Sequence, residues 1–69
     1  MMTRFTERTF RARHGDWVKV TRDNKERTFT HAFGRCGEYT AQRIETLPFK
    51  WVANWSEAEQ RANAYLYAI

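Results

Sequence analysis

Apolar and polar side chains alternate over three separate segments, residues 9–13, 17–22 and 27–33, and the three agree on one apolar set. Alternation of period two is the pattern of a strand with one buried face. With His14-Gly15-Asp16 as a three-residue turn, Arg13 lies opposite Trp17, Ala12 opposite Val18, Arg11 opposite Lys19 and Phe10 opposite Val20. A two-residue turn would set Arg13 against Val18 and mix the faces, so the hydrophobic pattern selects the longer loop. The polar cluster Asp23-Asn24-Lys25-Glu26 reads as a second turn, which sets Val20 opposite Phe29 and Val18 opposite His31. The predicted inner face is then Phe10, Ala12, Val18, Val20, Phe29, His31 and Phe33. Segments far apart in the chain support the same face, and that consistency is the strongest constraint on the fold.

The rest of the chain closes this sheet. Gly34-Arg35-Cys36-Gly37 interrupts the alternation. Residues 38–47 satisfy two patterns: a short helix lined by Ala41, Ile44 and Leu47, or a strand with Tyr39 and Ala41 opposite His31 and Phe29. Pro48 drives Leu47 towards an extended conformation, and residues 49–53 read as a short strand with Phe49 and Trp51 on one side. Ser56-Glu57-Ala58-Glu59 has the form of a capping box with Ser56 as the cap. Ala58, Ala62, Tyr65, Leu66 and Ile69 follow at helical spacing. The expected architecture is a single α+β domain over residues 1–69: an antiparallel meander of three or four strands with a C-terminal helix packed across one face. A chain this short buries only about 60% of the surface its unfolded form exposes, so its eleven aromatic residues matter to the core.

Composition narrows the function classes. The formal net charge is +4, with nine Lys/Arg against four Asp/Glu in residues 1–35 and three against four in the remainder. Nine of the twelve cations are arginine, the residue that forks onto carboxylates or phosphates and stacks on rings. A single cysteine, Cys36, excludes an internal disulfide and a zinc-type cysteine pair. The first residues lack the apolar stretch of a signal peptide, and no apolar run reaches the roughly 18 residues of a membrane span. A cytoplasmic protein with no membrane contact is expected.

Catalytic and metal readings find little purchase. His14 and His31 are not at ligand spacing, and the register turns His31 into the core. His14 and Asp16 occupy a wet hairpin tip, where side chains are not tuned for acid–base work. Gly34 and Gly37 precede no Lys-Ser/Thr pair, so no phosphate cradle is formed. No enzymatic activity, cofactor or metal is predicted. The alternation that buries Val18 and Val20 turns Arg11, Arg13, Trp17 and Lys19 to the opposite side, and these four are the predicted partner-binding residues. Arg, Trp and Tyr dominate interface hot spots, so the expected function is protein binding. A protein of this kind would occlude an acidic site on its partner, as small phage- or plasmid-type inhibitors do. Direct binding of RNA or single-stranded DNA by the same face is the alternative. An unprotected sheet edge, or the second face of the helix with Ala64 and Tyr67, also leaves a homodimer open.

Overall fold

The computed structural model describes residues 3–68, and these form four strands and one helix. Strands β1 (Phe5–Arg11), β2 (Trp17–Asp23), β3 (Thr28–Gly34) and β4 (Arg43–Pro48) form one sheet in the order β1-β2-β3-β4, and every neighbouring pair is antiparallel. Helix α1 (Trp55–Leu66) packs on one face, against β1 and β2. The protein is therefore an α+β meander with its C-terminal helix on the sheet. Val18, Val20, Phe29 and Phe33 from the strands meet Ala58, Ala62 and Leu66 from the helix in the core. Ile69, the last residue of the predicted helical stripe, lies outside the described residues.

Both hairpins are displaced by two residues from the expected pairing. Phe10, not Ala12, faces Val18, and Arg11, not Arg13, faces Trp17. The first turn spans residues 12–16: Ala12 N–H donates to Asp16 O at 2.9 Å, Gly15 N–H donates to Ala12 O at 3.0 Å, and Gly15 takes a φ of +98°. This wider turn lets Ala12 fold into the core. In the second hairpin Val20 faces His31 and Val18 faces Phe33. Asp23 Oδ1 accepts from the amides of Lys25 at 2.9 Å and Glu26 at 3.2 Å, so Asp23 closes a strand instead of opening the turn. Arg27, at φ +58°, completes the turn. A slip of two residues leaves each side chain on its own face, because the side-chain period is two. The predicted faces therefore survive although their partners change.

The later segments resolve in favour of a strand, but a later one. Residues 43–48 pair with β3, with Glu45 opposite His31 and Leu47 opposite Phe29, while Tyr39 lies outside the strand and is fully exposed. Residues 49–53 are not a strand. The amides of Trp51 and Val52 both donate to Pro48 O, at 2.9 and 3.1 Å, and the resulting turn sends Val52 inward and leaves Trp51 exposed. Phe49 alone of the predicted pair packs on the core.

The helix cap lies two residues before the expected one. Asn54 is the N-cap, in extended conformation, and its Oδ1 accepts the Glu57 amide at 2.9 Å. Glu57 Oε1 in turn accepts from Ala53 N–H at 3.4 Å. Asn54-Trp55-Ser56-Glu57 has the same cap-x-x-Glu form as the Ser56 reading. The earlier start brings Trp55 edge-on to Phe29, with ring centroids 5.2 Å apart, and apolar contact decides between two chemically equivalent caps.

The inner face also holds a polar fastening. His31 is fully buried, and its Nε2 donates to Ala58 O at 3.0 Å, tying β3 to the helix. A carbonyl only accepts, so Nε2 carries a proton, and Nδ1 is left without a partner. Burial pushes the His31 pKa down. Above it, Arg61 donates to Glu45, which also meets Arg43 at 3.2 Å, and the Arg61 hydrogen bond holds Glu45 below the usual carboxylate range.

Candidate binding groove on the open sheet face

The side of the sheet opposite the helix has no layer of its own among the described residues. Antiparallel pairing assembles it in rows: Arg11, Trp17 and Gly34 in one, Thr9, Lys19, Ala32 and Ile44 in the next, then Glu7, Thr21, Thr30 and Thr46. Thr30 and Thr46 hydroxyls lie 3.1 Å apart and bond across the strands. Ile44 is 66% exposed, so this face meets solvent.

Trp17 is the fixed point of the surface. Its indole lies over Gly34, where an added Cβ would run into ring atoms Cε2 and Cζ2. Any side chain at position 34 would lift the ring. Its Nε1 donates to Glu38 O at 3.0 Å, which pulls the loop of residues 35–42 against the end of the sheet. A second clasp comes from Asp16. Its Oδ1 accepts from the Cys36 amide at 3.1 Å, and its Oδ2 lies 2.9 Å from His14 Nε2. These bonds hold the Asp16 carboxyl below its ordinary range, the Cys36 amide contributing most and His14 next. Gly15 fits beneath Cys36, where a Cβ would collide with Sγ.

Between the clasped loop and the strands runs an open groove of about 440 Å³, lined by Thr9, Arg11, Gly15, Trp17, Lys19, Gly37, Glu38 and Tyr39. Three of the four predicted partner-binding residues, Arg11, Trp17 and Lys19, come together here. Arg13 does not: it belongs to the turn and is exposed away from the groove lining. Lys19 is not a free cation, since its Nζ lies 3.2 Å from Glu7 Oε2. Glu38 directs its carboxylate to Gln42 Nε2 at 2.6 Å. Among the described residues, Arg11 has no ion-pair partner. The groove thus offers an indole ring, a phenol ring, one unpaired guanidinium and one glycine, Gly37, with open space over its backbone.

Tyr39, Gly37 and Glu38 were not predicted as part of this site. The expected pairing sets Trp17 opposite Ala32, and only the two-residue displacement brings Gly34 beneath the ring, so alternation alone carries no signal for this seat. Nothing in the pattern of residues 35–42 announces where Tyr39 ends up, because that loop is positioned by hydrogen bonds from Trp17 and Asp16. Among the described residues no group of His, Cys, Asp or Glu is arranged to hold a metal ion, and no helix is long and apolar enough to cross a membrane. The chain matches no protein-family model, no curated protein and no solved structure.

Proposed function

We propose that the protein is a non-enzymatic binding module whose groove takes a segment of a partner protein that carries a carboxylate beside an aromatic or apolar side chain. The observation that supports this most is Trp17. Its ring is seated on Gly34 and tied to Glu38 O, and it stands next to the unpaired guanidinium of Arg11 on a face that no helix covers. A rigid aromatic with a planar cation beside it is the usual composition of an interface anchor. Tyr39, opposite, supplies a second ring at low entropic cost, since two torsions fix it. Occlusion of an acidic site on the partner, in the manner of a small inhibitor acting in the cytoplasm, is the mechanism this surface suits.

Nucleic acid is the less favoured ligand. Glu7 already neutralises Lys19, so a phosphate backbone would meet few free cations along this face. Titrating the isotope-labelled protein with a Glu-rich peptide carrying one Tyr, and separately with oligo(dT), tests the reading by NMR. The expected result is movement of the Trp17 indole and Gly37 amide signals with the peptide. Trp17→Ala should weaken that binding by more than about 2 kcal/mol. A folded variant with Ala at Arg11, Arg13, Trp17 and Lys19 that binds the peptide like the wild type would overturn the assignment. A groove response to oligo(dT) alone would replace the protein ligand with single-stranded nucleic acid.

A further inference from the structure

Strand β1 forms one edge of the sheet, and its backbone is turned outward in a definite phase. Arg4 O accepts from the Asn24 amide at 2.8 Å and Ala12 N–H donates to Asp16 O at 2.9 Å, so the even-numbered residues of this stretch face β2. In an antiparallel ladder the bonding direction alternates, so Phe5, Glu7, Thr9 and Arg11 direct their N–H and C=O groups away from the sheet. Every residue of β1 except the half-buried Phe10 is exposed. The strand is seven residues long and contains no proline or bulge, and of the features that ordinarily blunt an edge it carries only charges of both signs, Glu7, Arg8 and Arg11. The opposite edge, β4, is shorter and ends on Pro48, which has no N–H to offer.

We propose that β1 is a docking surface for β1 of a second copy, paired antiparallel about a two-fold axis centred on Thr9. The choice of occupant and register follows from the side chains. Centred on Thr9, the pairing sets Glu7 opposite Arg11 twice by symmetry on the open face, and Arg8 opposite Phe10 twice on the helix side. The first is an attractive cross-strand pair, and in the second Arg8, whose guanidinium covers the Trp55 ring of its own chain, meets an uncharged residue. Centred on Arg8 it sets Arg8 against Arg8, and centred on Glu7 it sets Glu7 against Glu7. Centred on Phe10 it overlaps too little of the strand. Residues 7, 9 and 11 all point their backbone groups outward, so the Thr9-centred register forms about six hydrogen bonds between copies. Edge pairing buries modest area, and the association is therefore concentration-dependent, not permanent. It joins the two open faces into one surface. It also draws Arg11 towards Glu7 of the second copy, so an acidic ligand in the groove competes with the dimer.

Sedimentation of the full chain from micromolar to near-millimolar concentration tests the proposal without any ligand, so its outcome is separate from that of the groove. Wild type is expected to dimerise. Thr9→Pro removes an outward N–H that no bond within the chain uses, and is expected to leave a monomer. Glu7→Arg and Arg11→Glu each turn two attractive pairs repulsive and are expected to weaken dimerisation about tenfold or more. The double variant E7R/R11E restores both pairs and should dimerise like the wild type. Circular dichroism confirms that each variant is folded, and the charge reversals carry the test if Thr9→Pro disturbs the strand. A wild type that stays monomeric at the highest concentration overturns the proposal. So does a dimer indifferent to all β1 changes, or a folded double variant that fails to recover.

Discussion

The two faces of this sheet carry the same residue types and use them in opposite ways. On the helix side Arg8 lies over the Trp55 ring at 4.5 Å, Arg22 over Phe49 at 4.9 Å and Arg43 over Phe33 at 5.5 Å. These guanidiniums cover aromatic surface that a small core cannot fully enclose, and their aliphatic stems pack as well as their charges. On the open side Trp17 takes its contact from a glycine, and Arg11 stands beside it with no acid to pair with among the described residues. An arginine-rich, aromatic composition is thus consistent with both a binding surface and a core lid. The neighbour of each guanidinium, not the count of arginines, separates the two.

The sharpest break in that comparison comes from adjacent residues of β2. Val18→Asp puts a carboxylate in the core, a cost of several kcal/mol that rivals the whole stability of a domain this size, and the protein should not fold. Lys19→Asp changes only the open face and should leave the melting temperature within a few degrees of the wild type. Equal loss of structure in circular dichroism melts of the two would mean that the faces are not distinct.

Acid should act on the helix side first. Because burial lowers the His31 pKa in the native state, the unfolded chain binds the proton more readily, with its histidine near the ordinary 6.5. Stability is then full above that value and falls as the pH drops below it. The carboxylates with lowered pKa, Asp16, Asp23 and Glu45, add their own loss only further into acid, below their ordinary values of 3.8 to 4.5. Urea midpoints between about pH 7.5 and pH 5 should decline for the wild type and stay flatter for His31→Gln, which keeps a donor near Ala58 O. Parallel declines would remove His31 as the source.

A smaller effect tests what holds the helix over the inner face. Asn54→Ala should lower stability by about 1 kcal/mol through loss of the cap, while Ser56→Ala should change it by no more than a few tenths. The denaturation midpoints of the two variants rank the caps, and the reverse order would move the helix start to Ser56. The smallest contrast is between arginines on the two faces. Arg8→Ala should cost about 0.5–1 kcal/mol by uncovering Trp55, and Arg11→Ala should leave thermal stability unchanged.

What the chain made legible was parity. Phe10, Val18, Val20, Phe29, His31 and Phe33 sort to one side under any even slip of the strands, so the face assignment tolerated errors in both turns. Pairing partners were not legible, because they depend on turn lengths set by individual bonds: Asp16 O to Ala12, and the Asp23 carboxylate to Lys25 and Glu26. The helix start had two chemically equal signals, Asn54 and Ser56, and Trp55 meeting Phe29 chose between them. In the site, Arg11, Trp17 and Lys19 followed from alternation alone. Arg13 fell out because the turn begins one residue before it, and Tyr39 entered through a loop whose course is fixed by contacts distant in sequence.

That loop's two clasps bear on binding kinetics as well as shape. Residues 35–42 would otherwise sample many conformations, and a partner would have to select one of them. With the Glu38 carbonyl holding the Trp17 indole and the Asp16 carboxylate holding the Cys36 amide, the ordering cost falls on folding and not on association. The Trp17 and loop-backbone wall of the groove is then set before the ligand arrives, and the fully exposed Tyr39 side chain is the part left to order. Releasing either clasp would slow productive encounter and shorten residence while deleting no contact with the ligand, so such changes would surface as defects of recognition in a protein whose groove lining is chemically intact.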